Sequence, residues 1–389
     1  MFRATLDHLV CLCQGQLSLV SESAEKGSGP VVPAMATMPR ASTHAEEDIL
    51  YGTLQCVSCK ERFPILEGVA IVVPDVRGYV LHHAKGISKS VPEERIPKAY
   101  RREYRAYLEE LRTLEEEHIE EDLESERVNA LYLMNHYMPA SEMMTVAAAS
   151  PLLKEWIERY WDQGPMELVA GWIPEKASVL ELGCGVGGLY QRLCRRLNHR
   201  LPGISPVYLG MDSSFHSVLI ARHLNFGGPF AGRLAHPADL LFGNSSRGFP
   251  EGISWKMRAG DGANTADFVV AEIDASPAKK ESFDVSVSLN AIDMLEDPET
   301  LVYAQSHSVK PGGDVIQSGP YIWHERISKK LRGRLPKGIA DSASAVEWLY
   351  SKNGLEITNR ELHVPWLFFK HLRQIELYSV HAFIARKGA

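Results

Sequence analysis

The chain has 389 residues, enough for two or three domains, and its 45% hydrophobic and 23% charged content is ordinary for a globular protein. With 42 basic against 49 acidic side chains the net charge is −7, which disfavours a dedicated nucleic-acid binder and leaves room only for a local basic patch. No apolar run approaches the roughly 18 residues that span a bilayer. The opening "MFRATLDHLVCLC" has no apolar core or cleavage site of a signal peptide, so a cytoplasmic location is expected.

Residues 1–75 hold two cysteine pairs, Cys11 with Cys13 and Cys56 with Cys59, on either side of a Ser-, Ala-, Gly- and Pro-rich stretch at about 21–48 that reads as a disordered insert. Paired cysteines in a cytosolic chain suggest metal more than disulfide. Residues 95–165 read as a helical segment, with Tyr100, Tyr104, Tyr107, Leu108, Leu111 and Leu114 recurring at helical spacing. The run "EEEHIEEDLESE" reads as a solvated helix face. Ser150 and Pro151 look like an N-cap and a first-turn proline.

From residue 166 to the end one further domain is expected. Its apolar runs "SVLELG", "VYLGMD", "FVVAEID", "FDVSVSLN" and "GGDVIQSG" alternate with helical segments. That alternation predicts an α/β fold, a doubly wound and mostly parallel sheet. "LEITNRELHV" and "IELYSVHAFIARK" predict an antiparallel edge pair, and the Gly-rich stretch 223–265 is an insertion longer than an ordinary connection.

In "LELGCGVGG", Gly183, Gly185, Gly187 and Gly188 separate a strand from a helix, a bare backbone where open α/β sheets bind ligands. Gly183, Gly185 and Gly188 also satisfy G-x-G-x-x-G, so spacing alone leaves a dinucleotide site open. Glu181 shifts the balance, because "E-L-G-C-G-x-G" resembles motif I of the class I S-adenosylmethionine-dependent methyltransferases, whose sheet is Rossmann-like. The resemblance implies that Asp212, ending "YLGMD" 29 positions after Gly183, grips the ribose hydroxyls, and that Asp274 in "VVAEIDASP" meets the adenine amino group. It further implies cofactor contacts from Glu181, Gly183, Cys184, Gly185, Gly187, Ser213, Ala275, Asn290 and Ala291. A methyl group on sulfonium sulfur is already activated, so such an enzyme works chiefly by alignment, which can supply about 7–11 kcal/mol. A base is needed only when the nucleophile arrives protonated.

"LVCLCQGQL" and "GTLQCVSCKERFPILEGVAIVVPD" resemble the small zinc ribbons that fuse to methyltransferases or activate them as separate subunits. The resemblance implies a structural Zn2+ held by Cys11, Cys13, Cys56 and Cys59, contributing on the order of 10–16 kcal/mol to so small a unit. The chain departs from the family's Cys-Pro-x-Cys at Cys11-Leu12-Cys13, so Cys11 has to reach in from a shifted position, with His8 as a substitute ligand. A ribbon that has lost its metal is the alternative.

"LNAIDMLEDP" replaces the Asp/Asn-Pro-Pro-Tyr/Phe run of methyltransferases that act on base or amide nitrogens. "N-x-I-D-x-x-x-D-P", "SGPYIWHE", "ALYLMNHY" and "VPWLFFKHLRQIELYSVHAFIARK" resemble the 4-mercaptohistidine N-methyltransferase family of ovothiol biosynthesis. That implies a small-metabolite substrate, with Asn290 and Asp293 near the methyl group, Tyr321 and Trp323 as aromatic walls, and Asn135, His136 and Tyr137 closing over the cofactor. Asp293, Tyr321, His136 and Tyr137 are therefore the catalytic candidates. Asp293 reads equally as a helix cap, Trp323 as core packing, and His136 as a satisfied structural residue. The basic stretch "KKLRGRLPKG" reads as a solvated loop that could meet RNA phosphates. A tRNA or protein methyltransferase, and a non-catalytic protein keeping only the cofactor fold, are the alternatives. Neither DNA nor membrane is an expected partner.

Overall fold

A computed structural model describes residues 1–20, 48–113, 131–146, 150–200, 207–226, 266–371 and 374–388. Nearly all of the insert expected at 21–48, the acidic run at 115–126 and most of the 223–265 insertion lie outside the described residues.

The five apolar runs form β5 (Ser178–Leu182), β6 (Val207–Asp212), β7 (Ala266–Ala271), β8 (Phe283–Leu289) and β9 (Val309–Gly319). All neighbouring pairs among them are parallel, and helices cover both faces, so their side chains are buried almost without alternation. β9 begins earlier than expected and contains the Pro311-Gly312-Gly313 turn. A register shift absorbs it: Phe283 pairs with Val309, while Val285 pairs with Asp314. The last two strands, β10 (Leu355–His371) and β11 (Gln374–Lys387), are antiparallel as expected, but β11 lies between β9 and β10, leaving only β10 at the edge.

At the other end, β1 (Leu17–Val20), β2 (Gly52–Cys56), β3 (Arg62–Leu66) and β4 (Val69–Val72) form an antiparallel meander. The meander is not set apart. β4 runs parallel to β7, with Ile71 opposite Val270 and Val72 opposite Ala271, so one eleven-stranded sheet runs β1-β2-β3-β4-β7-β6-β5-β8-β9-β11-β10.

The helices that matter for the site are α1 (Val76–His82), followed by α2 (Ala84–Ser88) and α3 (Arg101–Thr113), then α4 (helical at 131–137) and α5 (Ala140–Val146). α6 (Pro151–Tyr160) starts as its sequence predicts: Ser150 Oγ accepts from Leu153 N at 3.4 Å, and Pro151 occupies the first turn. α7 (Pro165–Trp172) packs against α8 (Gly188–Arg200) and β10, while α8, α9 (Phe215–Phe226) and α10 (Pro298–Ser308) pack on the parallel strands, and α11 (Glu325–Arg332) and α12 (Ser342–Lys352) complete the order. Among the described residues no helix is long and apolar enough to cross a membrane.

Charge is buried where the meander meets the parallel sheet. Arg222 on α9 and Asp267 on β7 are each 2% exposed and ion-paired, and Arg222 also reaches Asp48 at 2.7 Å. Asp267 accepts further bonds from Phe2 N at 2.8 Å and Thr5 Oγ1 at 2.6 Å. Removing one partner of such a set strands the other charge in the interior. Arg222→Met is expected to lower the unfolding free energy by about 3–5 kcal/mol in urea titrations. A change below about 1 kcal/mol would show that the pair is not desolvated as the fold implies.

Candidate active site

At the carboxyl ends of β5, β6, β7 and β8 lies a cavity of about 820 Å³, within the range of about 300–1,000 Å³ usual for small-molecule sites. Residues predicted for it arrive from separate elements. Glu181, Gly183, Cys184 and Gly185 come from β5 and its loop, and Asp212 and Ser213 from the end of β6. Asp274 follows β7, Asn290 and Ala291 follow β8, and His136 comes from α4; all ten line the cavity.

The glycine loop takes its shape from neighbours on both sides. Gly187 has φ +79°, and a Cβ there would stand 2.9 Å from the Phe268 ring. Gly185 has φ +52° and open space where a Cβ would go, so its backbone faces the cavity directly. Asp212 ties this loop to the next: Oδ2 accepts from Gly185 N and Oδ1 from Ser214 N, both at 2.9 Å. Burial raises the Asp212 pKa, while those two N–H groups oppose the rise.

Glu181 is 3% exposed, and the Tyr208 hydroxyl donates to it. Burial pushes its carboxyl up to about 8; the Tyr208 bond works against the shift and the Asp212 charge adds to it. His136 is 8% exposed, and its Nδ1 has no hydrogen-bond partner among the described residues. Burial, helped by the Arg192 charge, lowers its pKa to about 3, so it is neutral at working pH.

Other candidates stand elsewhere. Gly187 and Ala275 adjoin the cavity lining without belonging to it, and Asp274 sits past the end of β7 in the turn Ile273–Ala275 rather than on the strand. Tyr137, expected to close over the cofactor, is buried beneath the glycine loop and donates to Val186 O, which makes it a brace. Asn135 instead clamps β10, bonding both Phe369 O at 3.0 Å and Phe369 N at 2.7 Å. Asp293 and Tyr321, expected beside the methyl group, are outside the lining. Asp293 is 3% exposed and accepts from Ile322 N at 2.6 Å. Tyr321, at φ +59°, has its hydroxyl 2.8 Å from His381 Nδ1 and its ring parallel to Trp323.

Several lining residues had escaped the sequence reading, among them Tyr132, Met166, Trp366, Glu272, Glu296 and Asp297. Tyr132 was detectable, standing one helical turn before His136. Trp366 and Met166 were not, since only the path of β10 and the seating of α7 bring them there.

At the far end of the chain, the four predicted cysteines meet. Cys11 Sγ is 3.5 Å from Cys59 Sγ, Cys13 Sγ is 3.5 Å from Cys56 Sγ, and all four lie within 4.8 Å of one another. A zinc tetrahedron with bonds of about 2.3 Å has sulfur–sulfur edges of about 3.8 Å, so the set fits that ion. The N–H groups of Ser58 and Cys59 each point to Cys56 Sγ at 3.4 Å. Cys11 does reach in from its shifted position, and His8 is not in the cluster but packs near Phe283.

Residues 153–359, more than half of the chain, match the model of a family described as a methyltransferase domain. No curated protein matches the chain. Among solved structures, a chain of the complex between the Haloferax volcanii Trm112 methyltransferase activator and a methyltransferase is similar at 15% identity and a TM-score of 0.37, over 62% of this chain and 96% of that one. An S-adenosylmethionine-dependent methyltransferase of Methanosarcina mazei is similar at 15% identity and a TM-score of 0.35, over 57% of this chain and 97% of that one. One from Mesorhizobium loti is similar at 16% identity and a TM-score of 0.34, over 57% and 96%.

The raised Glu181 carboxyl has a consequence for pH. A folded pKa near 8 against an ordinary 4.5 means that the folded state holds the extra proton between those values. Stability is therefore present below about 4.5 and lost as pH rises towards 8. Glu181→Gln should flatten that decline in unfolding titrations at pH 5 and pH 8. Parallel pH profiles for the two proteins would refute it.

Proposed function

Because the chain belongs to the methyltransferase-domain family whose model spans residues 153–359, we propose that it moves a methyl group from S-adenosylmethionine to nitrogen or sulfur of a small metabolite. S-adenosylmethionine-dependent methyltransferase activity follows from the family; the acceptor is our reading. A histidine-derived thiol is the candidate that the sequence resemblance implies.

The observation that carries the reading is the charge of the cavity. Asp212, Glu272 and Asp274 line it without an ion-pair partner among the described residues, beside a Glu181 that holds its proton, while Glu296 pairs with Arg326 and Asp297 with Lys330 and Arg334 at the rim; no lysine or arginine is in the lining itself among the described residues. A polyanion such as tRNA would meet repulsion there, whereas a sulfonium cofactor and a neutral or cationic acceptor would not. Tyr132 and Trp366 add aromatic surface suited to an imidazole or a cation.

Bound S-adenosylmethionine supplies a methyl group already activated by its positive sulfur. The protein's part is to bind, orient and exclude water. Asp212, held by two backbone N–H groups, keeps lone pairs free for ribose hydroxyls. Asp274 is exposed at the adenine end, and Gly183 and Gly185 let the methionyl portion lie against the backbone. His136 adds a neutral ring to the cavity wall, with its unpartnered Nδ1 buried against Gly188. Asp293 and Tyr321 act from behind, shaping the loops after β8 and β9.

Incubation with methyl-labelled S-adenosylmethionine, offering a small-metabolite extract and total tRNA separately, tests this. Label is expected in a small, neutral or cationic product. Label in RNA or protein, or none despite cofactor binding, would overturn the acceptor.

We further propose that the cysteine cluster holds a structural Zn2+. Four thiolates close the coordination shell and leave no open position for catalysis. Metal analysis should find one zinc per chain, and Cys56→Ser should lower both zinc content and melting temperature. A metal-free protein that melts like the metal-loaded one would refute it.

A further inference from the structure

Behind the turn that carries Asp212 and Ser213 stands Tyr79, on α1, well before the segment that matches the methyltransferase family. Its hydroxyl donates to Ser213 O at 2.7 Å and accepts from Phe215 N at 2.9 Å. One phenol thus spans both sides of the turn between β6 and α9. Within the same turn Ser214 N donates to the Asp212 carboxylate, and Ser213 faces the cavity.

Tyr79 is itself held firmly. The side chain is 9% exposed, and its ring lies 4.3 Å from that of His83. Asp75 caps α1 by accepting from Gly78 N at 2.8 Å. Just before it, β4 is in register with β7, whose end leads to Asp274. Burial raises the Tyr79 pKa, so its hydroxyl keeps the proton it donates. Residues near the cysteine cluster reach the same half of the site: Val10 N donates to Pro277 O at 2.9 Å and Lys279 N to His8 O at 3.0 Å, close after Asp274.

We propose that Tyr79 is a positioning residue for the cofactor's ribose: it fixes the Ser213–Phe215 backbone and, through it, the aim of Asp212. The proposal rests on the cofactor reading above. Tyr79 touches neither ligand nor reacting atoms, so it acts on cofactor affinity and not on the alignment of the methyl group. Its loss raises the KM for S-adenosylmethionine and leaves kcat nearly unchanged.

Tyr79→Phe keeps the ring and removes both bonds. Calorimetric titration with S-adenosylhomocysteine is expected to show affinity falling about five- to thirtyfold, as two modest hydrogen bonds allow. In an Asp212→Asn background the same change should cost less than about twofold, because the two residues work through one turn. If the wild type takes up no S-adenosylhomocysteine, the cofactor reading itself fails. If the wild type binds and Tyr79→Phe binds within about twofold of it, or loses the same factor in both backgrounds, the positioning role alone is overturned. Where Asp212→Asn binds too weakly to measure, hydrogen exchange at the Phe215 amide decides. Faster exchange in Tyr79→Phe, slowed again by saturating S-adenosylhomocysteine, supports the role, and unchanged exchange overturns it.

Discussion

Two hydrogen bonds to one carboxylate organise this site. Asp212 takes Gly185 N–H on one oxygen and Ser214 N–H on the other, locking the loop after β5 to the loop after β6. Both loops leave parallel strands on the same edge of the sheet, the position where open α/β sheets receive ligands. A carboxylate offers about four acceptor positions. Two are spent on the backbone, and the remainder are available to whatever enters the cavity. The glycines then matter less as flexible points than as the surface on which this carboxylate rests.

The charge balance of the cavity follows the same logic. Six carboxyl groups share one space; Glu181 holds its proton, Arg326 pairs with Glu296, and Lys330 and Arg334 pair with Asp297, so Asp212, Glu272 and Asp274 are the ones left without an ion pair among the described residues. Burial raises the pKa of Glu181, Asp212 and Glu272, and the neighbouring Asp274 pushes Glu272 further. Such a set repels itself when fully ionised. A positively charged ligand relieves that repulsion, and a negatively charged one adds to it. Neutral His136 does not change the sign.

Much of this was legible in the residues. The apolar runs around Leu180, Leu209, Val270 and Val287 announced parallel strands, because buried central strands need no alternation. Asp212 and Gly185 were placed by resemblance to the methyltransferase glycine loop and its following acid, since spacing alone left a dinucleotide site open and the 29 positions from Gly183 to Asp212, which include α8, exceed a compact fingerprint. The catalytic candidates fared differently. Tyr137, Asp293 and Tyr321 were matched to a motif, but whether a side chain turns towards a cavity or behind it depends on rotamers and on neighbours distant in sequence. Tyr137 meets Val186, Tyr321 meets His381, and Asp293 meets Ile322. Trp366 and Tyr79 were invisible for the same reason: each reaches the site through the path of a whole strand or helix. The N-terminal meander showed the sharpest difference. Its cysteines were plain, but the parallel pairing of Ile71 with Val270, which joins it to the main sheet, left no mark in local composition.

The central claim concerns where the adenosine half of the cofactor lies. A crystal structure of the full chain grown with saturating S-adenosylhomocysteine tests it most directly. The ribose hydroxyls should lie within hydrogen-bonding distance of the Asp212 carboxylate, with the adenine beside Asp274. Adenosine bound anywhere else, or a cavity left without it at saturation, would contradict the account.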